Sequence, residues 1–189
     1  MSLPVNNKLT ERFDYHFHIS ESGVYAISVA ARCRSETQIQ KSGGEDLRVE
    51  IDGIAFREIP ALLKPQYQDI PVSWNGTRLK GLKQTVVFVL HLDAGEHAIT
   101  FIPQTDAVIE NEPRIKLMED FTSIEFDPEE RAEDGDRRPW FTFAFIDLPL
   151  RSFSLDASVG LHWRDREDIK LILDGATQQL PDIAALQGT

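Results

Sequence analysis

The stretch QTVVFVLHLDAGEHAITFIP, residues 84–103, gives the clearest indication of the fold. Two apolar runs flank the short connection Asp93-Ala94-Gly95-Glu96, and Pro103 ends the second run. Short apolar runs bounded by turn residues are typical of strands buried in a sheet. The stretch therefore predicts two consecutive β-strands.

Alternation of apolar and polar residues predicts further strands upstream. An apolar side chain at every second position is expected where one face of a strand is buried and the other faces water. In FDYHFHI, one face is apolar and the other carries Asp14, His16 and His18. No long window keeps an apolar period of 3.6 residues, so we expect helices to be short and peripheral. The segments that indicate strands are FDYHFHI (13–19), VYAISVAARC (24–33) and DLRVEIDG (46–53).

Part of this pattern is repeated downstream. DLRVEIDG (46–53) has a near-copy, DIKLILDG (168–175), and both end in Asp-Gly, a dipeptide suited to a two-residue hairpin turn. An alignment of Phe13 with Phe141 also keeps the apolar phase through the strands that follow. The pattern indicates one complete β unit followed by the opening strands of a second.

These observations predict an all-β chain that forms an antiparallel β-sandwich. We place the sandwich domain at residues 5–126, a charged linker or loop at 127–139, and a partial second β repeat at 140–189. The last part would bury too little surface to be stable alone, because domains of about 50 residues are marginal. We therefore expect residues 140–175 to pack on the first domain or on another chain, as a neighbouring domain or in a homo-oligomer.

Charge and cysteine content narrow the classes of partner. The chain has 20 Lys and Arg against 31 Asp and Glu, a net charge of −11. A field of that sign repels phosphate backbones and anionic lipid headgroups, so we expect neither nucleic acid nor membrane as a partner. Cys33 is the only cysteine. An intrachain disulfide and a multi-cysteine metal cluster are thereby excluded, and the compartment is not indicated.

The order of these features resembles the galactose-binding-like jelly roll, especially carbohydrate-binding modules of families six and thirty-five. The resemblance is carried by SGVYAISVAARCRS, DLRVEIDG, a Trp followed by QTVVFVLHLDAGEHAITFIP, and FTSIEFD. It implies a jelly-roll sandwich that includes a strand, Leu-x-Ala-Gly, strand hairpin. The sequence departs from those modules in lacking a Glu-x-Glu calcium site in its first strand.

One segment offers the groups that bind a sugar. Sugar recognition uses an aromatic plane for the apolar face of a pyranose and fixed polar groups for its hydroxyls. An alternative is that Trp74 fills one end of the sandwich core and Asn75-Gly76 is only a turn. The candidate ligand-binding residues, all in YQDIPVSWNGTR, are Tyr67, Asp69, Trp74, Asn75 and Arg78.

Metal binding is a second hypothesis. His16 and His18 lie two residues apart on one strand, so their rings project from the same face about 6 to 7 Å apart. With Glu21, His91 or His97 they would resemble the histidine-carboxylate site of a cupin. Exposed histidines on an outer sheet face are the alternative. We expect no cofactor. Calcium is the one candidate, at the paired acids Glu129-Glu130 and Glu133-Asp134, which a solvated charge run also explains.

Catalysis has no positive support from the sequence. It contains no Gly-rich phosphate loop, no Ser-containing nucleophile elbow and no zinc-protease helix motif. Cys33 is in phase with Val29 and Ala31, which suits a small buried side chain. We predict a non-catalytic, carbohydrate-binding-like accessory module of a larger protein, which would be extracellular, with a glycan or other small polar ligand. The alternatives are a structural or protein-interaction module and a cupin-like metal enzyme.

Overall fold

The regular elements are β-strands throughout the part of the chain that the structure describes. The structure is a computed structural model that describes residues 3–34, 47–55, 74, 83–104, 106–118, 140–149, 172–173 and 176–177. The strands are β1 (Lys8–Leu9), β2 (Phe13–Ile19), β3 (Gly23–Arg34), β4 (Leu47–Ile51), β5 (Ile54–Ala55), β6 (Gln84–Leu92), β7 (Gly95–Pro103), β8 (Asp106–Ile109), β9 (Arg114–Leu117), β10 (Trp140–Phe145), β11 (Ile172–Leu173) and β12 (Ala176–Thr177). No described helix is long and apolar enough to cross a membrane.

Two sheets pack face to face. Sheet A has the strand order β1-β8-β3-β6-β10, with β9 also paired to β3. Sheet B has the order β2-β7-β4-β5. One buried cluster contains Ile27 and Phe88 from sheet A together with Val49 and Phe101 from sheet B. The arrangement is sandwich-like, and the all-β prediction is confirmed for the described residues.

Alternation of apolar and polar residues correctly predicts the buried face of β3. On β3, the side chains of Ile27, Val29 and Ala31 are buried in the core cluster, as is Cys33 with no exposed surface. A fully buried Ile or Val side chain contributes about 1.5 to 3 kcal/mol of transfer free energy. Cys33 is therefore a small core residue, as predicted.

The chain crosses between the sheets at the connection that joins β6 to β7. Both strands form as predicted, but β6 pairs with β3 and β10 in sheet A, whereas β7 pairs with β2 and β4 in sheet B. The hairpin implied by the resemblance is therefore wrong. Alternation gives the buried face of a strand, but the partner of that strand depends on the whole topology. The β2 to β3 connection crosses in the same way, and the Ala94 N–H donates to Ser22 Oγ between the two connections at 2.8 Å.

Strand β10 joins sheet A in a parallel orientation. It pairs with β6 from Trp140 opposite Gln84 to Phe145 opposite Val89. The prediction of purely antiparallel pairing is wrong for this pair. A parallel neighbour requires a long connection, and the chain builds β7, β8 and β9 before it returns to β6. The last repeat-like segment thus begins as a strand of the first unit's own sheet.

The two aromatic strands that we aligned in the sequence do not have equivalent neighbours. Strand β2 is antiparallel to β7 in sheet B, and its aromatic side chains pack against the core. On β10, Phe143 and Phe145 are the partners of Val87 and Val89, which are buried but lie outside the core cluster. The aromatic row of β10 therefore faces away from the core. Their alignment reflects a common alternation and not a common position.

The two Asp-Gly segments, in contrast, have matching pairings. Strands β4 and β5 pair antiparallel, as do β11 and β12, and in each case two residues separate the strands. The innermost pairs are Ile51 with Ile54 and Leu173 with Ala176. At the first turn, Asp52 and Gly53 both have positive φ angles, 51° and 76°, as a two-residue hairpin turn of this type requires.

Gly95 has a more demanding backbone conformation than Gly53, the other described glycine with a positive φ. Its φ is 144°, a value that residues other than glycine avoid. Gly95 is the first residue of β7. A Cβ added at Gly95 or at Gly53 would meet nothing within 4 Å. At both sites, an added methyl group would therefore lower the free energy of unfolding through the strained backbone conformation and not through a steric clash.

We predict that Gly95→Ala lowers the free energy of unfolding by about 2 to 3 kcal/mol. Gly53→Ala is the matched control. Gly53 lies in the left-handed region of backbone angles, which other residues adopt at a cost of about 1 kcal/mol, so this variant should lower the free energy of unfolding by about that amount. Urea denaturation of the two variants measures both costs. A smaller effect at Gly95 than at Gly53 would contradict the conformation described for the crossing.

Candidate functional site

Trp74 is a core residue. Its side chain has no exposed surface, and its indole N–H donates to the Gln84 carbonyl oxygen at 2.9 Å. Its backbone N–H and C=O both pair with Leu47, an isolated bridge beside β4. Neither face of the ring is available for a sugar in this arrangement, which matches the alternative that Trp74 fills the core.

The other residues of the sugar hypothesis, Tyr67, Asp69, Asn75 and Arg78, lie outside the described residues, so their arrangement around Trp74 stays a prediction. The paired acids of the calcium hypothesis, in the segment 129–134, lie outside them as well.

The outer face of sheet B carries the two histidines of the metal hypothesis. His16 and His18 are exposed on β2 and share one face, as predicted. The Nδ1 atom of His18 lies 2.8 Å from Glu96 Oε1 on the neighbouring strand. On the same face, the Thr100 hydroxyl donates to Asp14 Oδ1 at 2.7 Å and lowers the pKa of that carboxyl.

The histidines do not converge on a common point. His91 belongs to β6 in sheet A, and the ring of His97 stacks on Phe17, which packs against the core. Within the described ranges, no group of three or more His, Cys, Asp or Glu side chains is placed to hold a metal ion. His16 and His18 share one face of β2, as their spacing predicts, but among the described residues no third ligand joins them.

His97 links two connections at one end of the sandwich. Its Nδ1 lies 2.7 Å from Asp52 Oδ2, in the β4–β5 turn, and its Nε2 lies 2.7 Å from the Asp93 carbonyl oxygen, before the crossing. The ring also stacks on Phe17 of β2, with centroids 5.5 Å apart. We call these three residues, Asp52, Asp93 and His97, the turn cluster.

The turn cluster favours the charged form of His97. A carbonyl oxygen and a carboxylate are both acceptors, so both ring nitrogens must donate, and only the imidazolium can do so. Burial by itself lowers the pKa of His97. The hydrogen bonds to Asp52 and to the Asp93 carbonyl, with the charges of both aspartates, outweigh burial and raise the pKa above its ordinary value of 6.5. Sequence reasoning considered His97 only as a metal ligand and missed this role, which depends on two turns distant in sequence.

The direction of the backbone groups of β7 shows which side of β2 has no partner strand among the described residues. Ala98 donates its N–H to Asp52 Oδ1 and accepts from the Asp52 N–H, each at 2.9 Å, so its backbone groups point toward β4. Successive residues of a strand alternate in direction, so the backbone groups of His97 and Ile99 point toward β2. Their partners on β2 are Phe17 and Tyr15.

It follows that the other residues of β2 direct their backbone groups away from the sheet. These are Asp14, His16 and His18, and among the described residues their N–H and C=O groups have no hydrogen-bond partner. We call this row of backbone groups the β2 edge. Alternation in the sequence shows that FDYHFHI is a strand, but no sequence signal places it at the border of its sheet.

The side chains beside the β2 edge are only partly covered. Phe13, Tyr15 and Phe17 pack against the core and are half-buried. Aromatic side chains at the border of a sheet bury more surface when a further strand is added. In the described part of the chain, the β2 edge therefore combines backbone groups that have no partner with incompletely buried aromatic rings.

The turn cluster makes stability depend on pH. The folded-state pKa of His97 is raised. The contribution of protonated His97 to the free energy of unfolding is therefore complete below its unfolded-state pKa and is lost as pH rises through its folded-state pKa. We expect a higher free energy of unfolding at about pH 6 than at about pH 8.5. His97→Ala should cost about 2 kcal/mol at the lower pH and less at the higher pH.

Urea denaturation at both pH values measures this dependence. His16→Ala is the matched control, because His16 is exposed and belongs to no such cluster, and it should keep the wild-type dependence. An equally steep dependence in His97→Ala would show that another group causes it.

Comparisons with known proteins identified no relative: no family model, no curated protein and no solved structure matches this chain significantly.

Proposed function

We propose that this chain is a non-catalytic β-sandwich module that binds a protein partner by adding a strand of the partner to the β2 edge. The observation that supports this most directly is the row of outward N–H and C=O groups of Asp14, His16 and His18, beside half-buried aromatic side chains. Strand addition uses such backbone groups for affinity and adjacent side chains for specificity.

The length and regularity of β2 favour this function. The strand has seven residues, and its register with β7 is continuous from Phe13 opposite Phe101 to Ile19 opposite Gly95. Proteins commonly protect an edge with Pro, Lys, a bulge or a very short strand. Strand β5, at the other border of sheet B, has two residues, whereas β2 has none of these protections.

Selection of peptides tests the proposal. We expect a library of random ten-residue peptides to yield extended, β-forming binders when it is selected on the immobilised chain. His16→Pro removes one outward N–H of the β2 edge and leaves the bonds to β7 intact, so binding should fall by about tenfold or more. His16→Ala, the matched control, keeps the N–H and should bind as the wild type does.

Two results would contradict the proposal. One is a selection that yields no specific binder to the folded chain. The other is a set of binders that recognise His16→Pro and the wild type equally, because their site then lies elsewhere.

Glycan binding is a second candidate, favoured by the resemblance of the order of sequence motifs to that of carbohydrate-binding modules. Since Trp74 is buried, this function would depend on the remaining residues of the sugar hypothesis, with Tyr67 as the aromatic plane. A glycan array followed by titration calorimetry separates the two functions. A glycan whose binding is lost in Tyr67→Ala and kept in His16→Pro would favour the sugar function.

A further inference from the structure

We infer that the strand added to the β2 edge is β2 of a second copy of this chain, so that two sheets B form one continuous sheet. This inference rests on the proposed function and names its partner. Copies related by a two-fold axis present the same surface to each other, and strands paired across such an axis are antiparallel. The question is whether β2 is complementary to itself in that orientation.

The hydrogen-bonding pattern permits one fully overlapping register. With the axis at His16, Phe13–Ile19 of one copy lies along Phe13–Ile19 of the other, and no residue of the strand is left without a partner. His16 then faces His16 of the second copy, and Asp14 faces His18 of the second copy. All three residues have outward backbone groups, so each of these pairs is a hydrogen-bonded pair of an antiparallel ladder.

The polar side chains of the outer face support the same register. Asp14 of each copy would stand opposite His18 of the other, so a carboxylate would face an imidazole ring that can donate a hydrogen bond to it, and cross-strand polar pairs of this kind are stabilising. The pair occurs twice because of the symmetry. Both side chains are exposed on the outer face of β2, so they can reach a neighbouring strand without displacing core residues.

The core face is also complementary. Tyr15 would pair with Phe17 of the second copy, and Phe13 with Ile19. These positions are non-hydrogen-bonded pairs, in which the side chains lie closest together. Three of these side chains, Phe13, Tyr15 and Phe17, are half-buried in the single copy. Pairing would extend the aromatic layer of one copy into that of the other.

A register shifted by two residues is less favourable. An axis at Tyr15 would place Asp14 opposite His16, but it would pair His18 and Ile19 with residues beyond the N-terminal end of β2. An axis at Phe17 would place His16 opposite His18 and would pair Phe13 and Asp14 with residues beyond the C-terminal end of β2. The Asp14–His18 pairs and full overlap occur together only at His16.

Sedimentation analysis from low to high micromolar concentration tests the inference. We expect a concentration-dependent dimer for the wild type and for His16→Ala. His16→Pro removes both N–H donors of the central pair and should weaken the dimer by about a hundredfold or more. His16→Lys leaves the backbone unchanged but sets two lysines opposite each other at the axis, and it should also be monomeric. His91→Lys, an exposed site on sheet A, is the matched control and should dimerise normally.

The outcomes separate this inference from the proposed function. Urea denaturation verifies that each variant is folded. A dimer that persists in both His16→Pro and His16→Lys would overturn pairing through β2. A wild type that stays monomeric would overturn self-pairing. If it still binds library peptides through the His16 amide, the proposed function stands with a different partner; if it binds none, both fail.

Discussion

The crossing of the chain between the two sheets after β6 is the constraint on which the rest of the structure depends. Strand β6 supplies Val86 and Phe88 to one side of the core, and β7 supplies Ile99 and Phe101 to the other. Since β6 and β7 do not pair with each other, β7 takes β2 and β4 as neighbours. One continuous stretch therefore contributes to both halves of the core, and among the described strands β2 lies at the border of sheet B.

The turn cluster and the β2 edge are connected through this crossing. His97 bonds to Asp52 in the β4–β5 turn of sheet B and to the Asp93 carbonyl at the start of the β6–β7 connection. Its ring stacks on Phe17 of β2. An ordered strand loses less conformational entropy when it binds than a mobile one does. The same contacts that stabilise the end of the sandwich thus hold β2 in the extended form that strand addition requires.

Local features could be predicted from the sequence, and pairings could not. Alternation placed FDYHFHI in a strand with the correct buried face, and Asp52-Gly53 indicated the hairpin turn that the structure shows. Alternation did not show that β6 and β7 belong to different sheets, or that β10 is parallel to β6. A strand has the same side-chain period in either sheet and in either direction. Trp74 shows the same limit for the site, since an aromatic residue among turn residues suits a sugar platform and a core plug equally well.

Amide hydrogen exchange, residue by residue, in the wild type at a concentration low enough to keep single copies, tests the central claim most directly. We expect protection from exchange to alternate along β2: the amides of Asp14, His16 and His18 point outward and should exchange rapidly, whereas those of Tyr15 and Phe17 bond to β7 and should be protected. Protection of both sets under these conditions would mean that the edge is already covered within one chain. Rapid exchange of both sets would mean that β2 is not paired with β7, and either result would contradict the account.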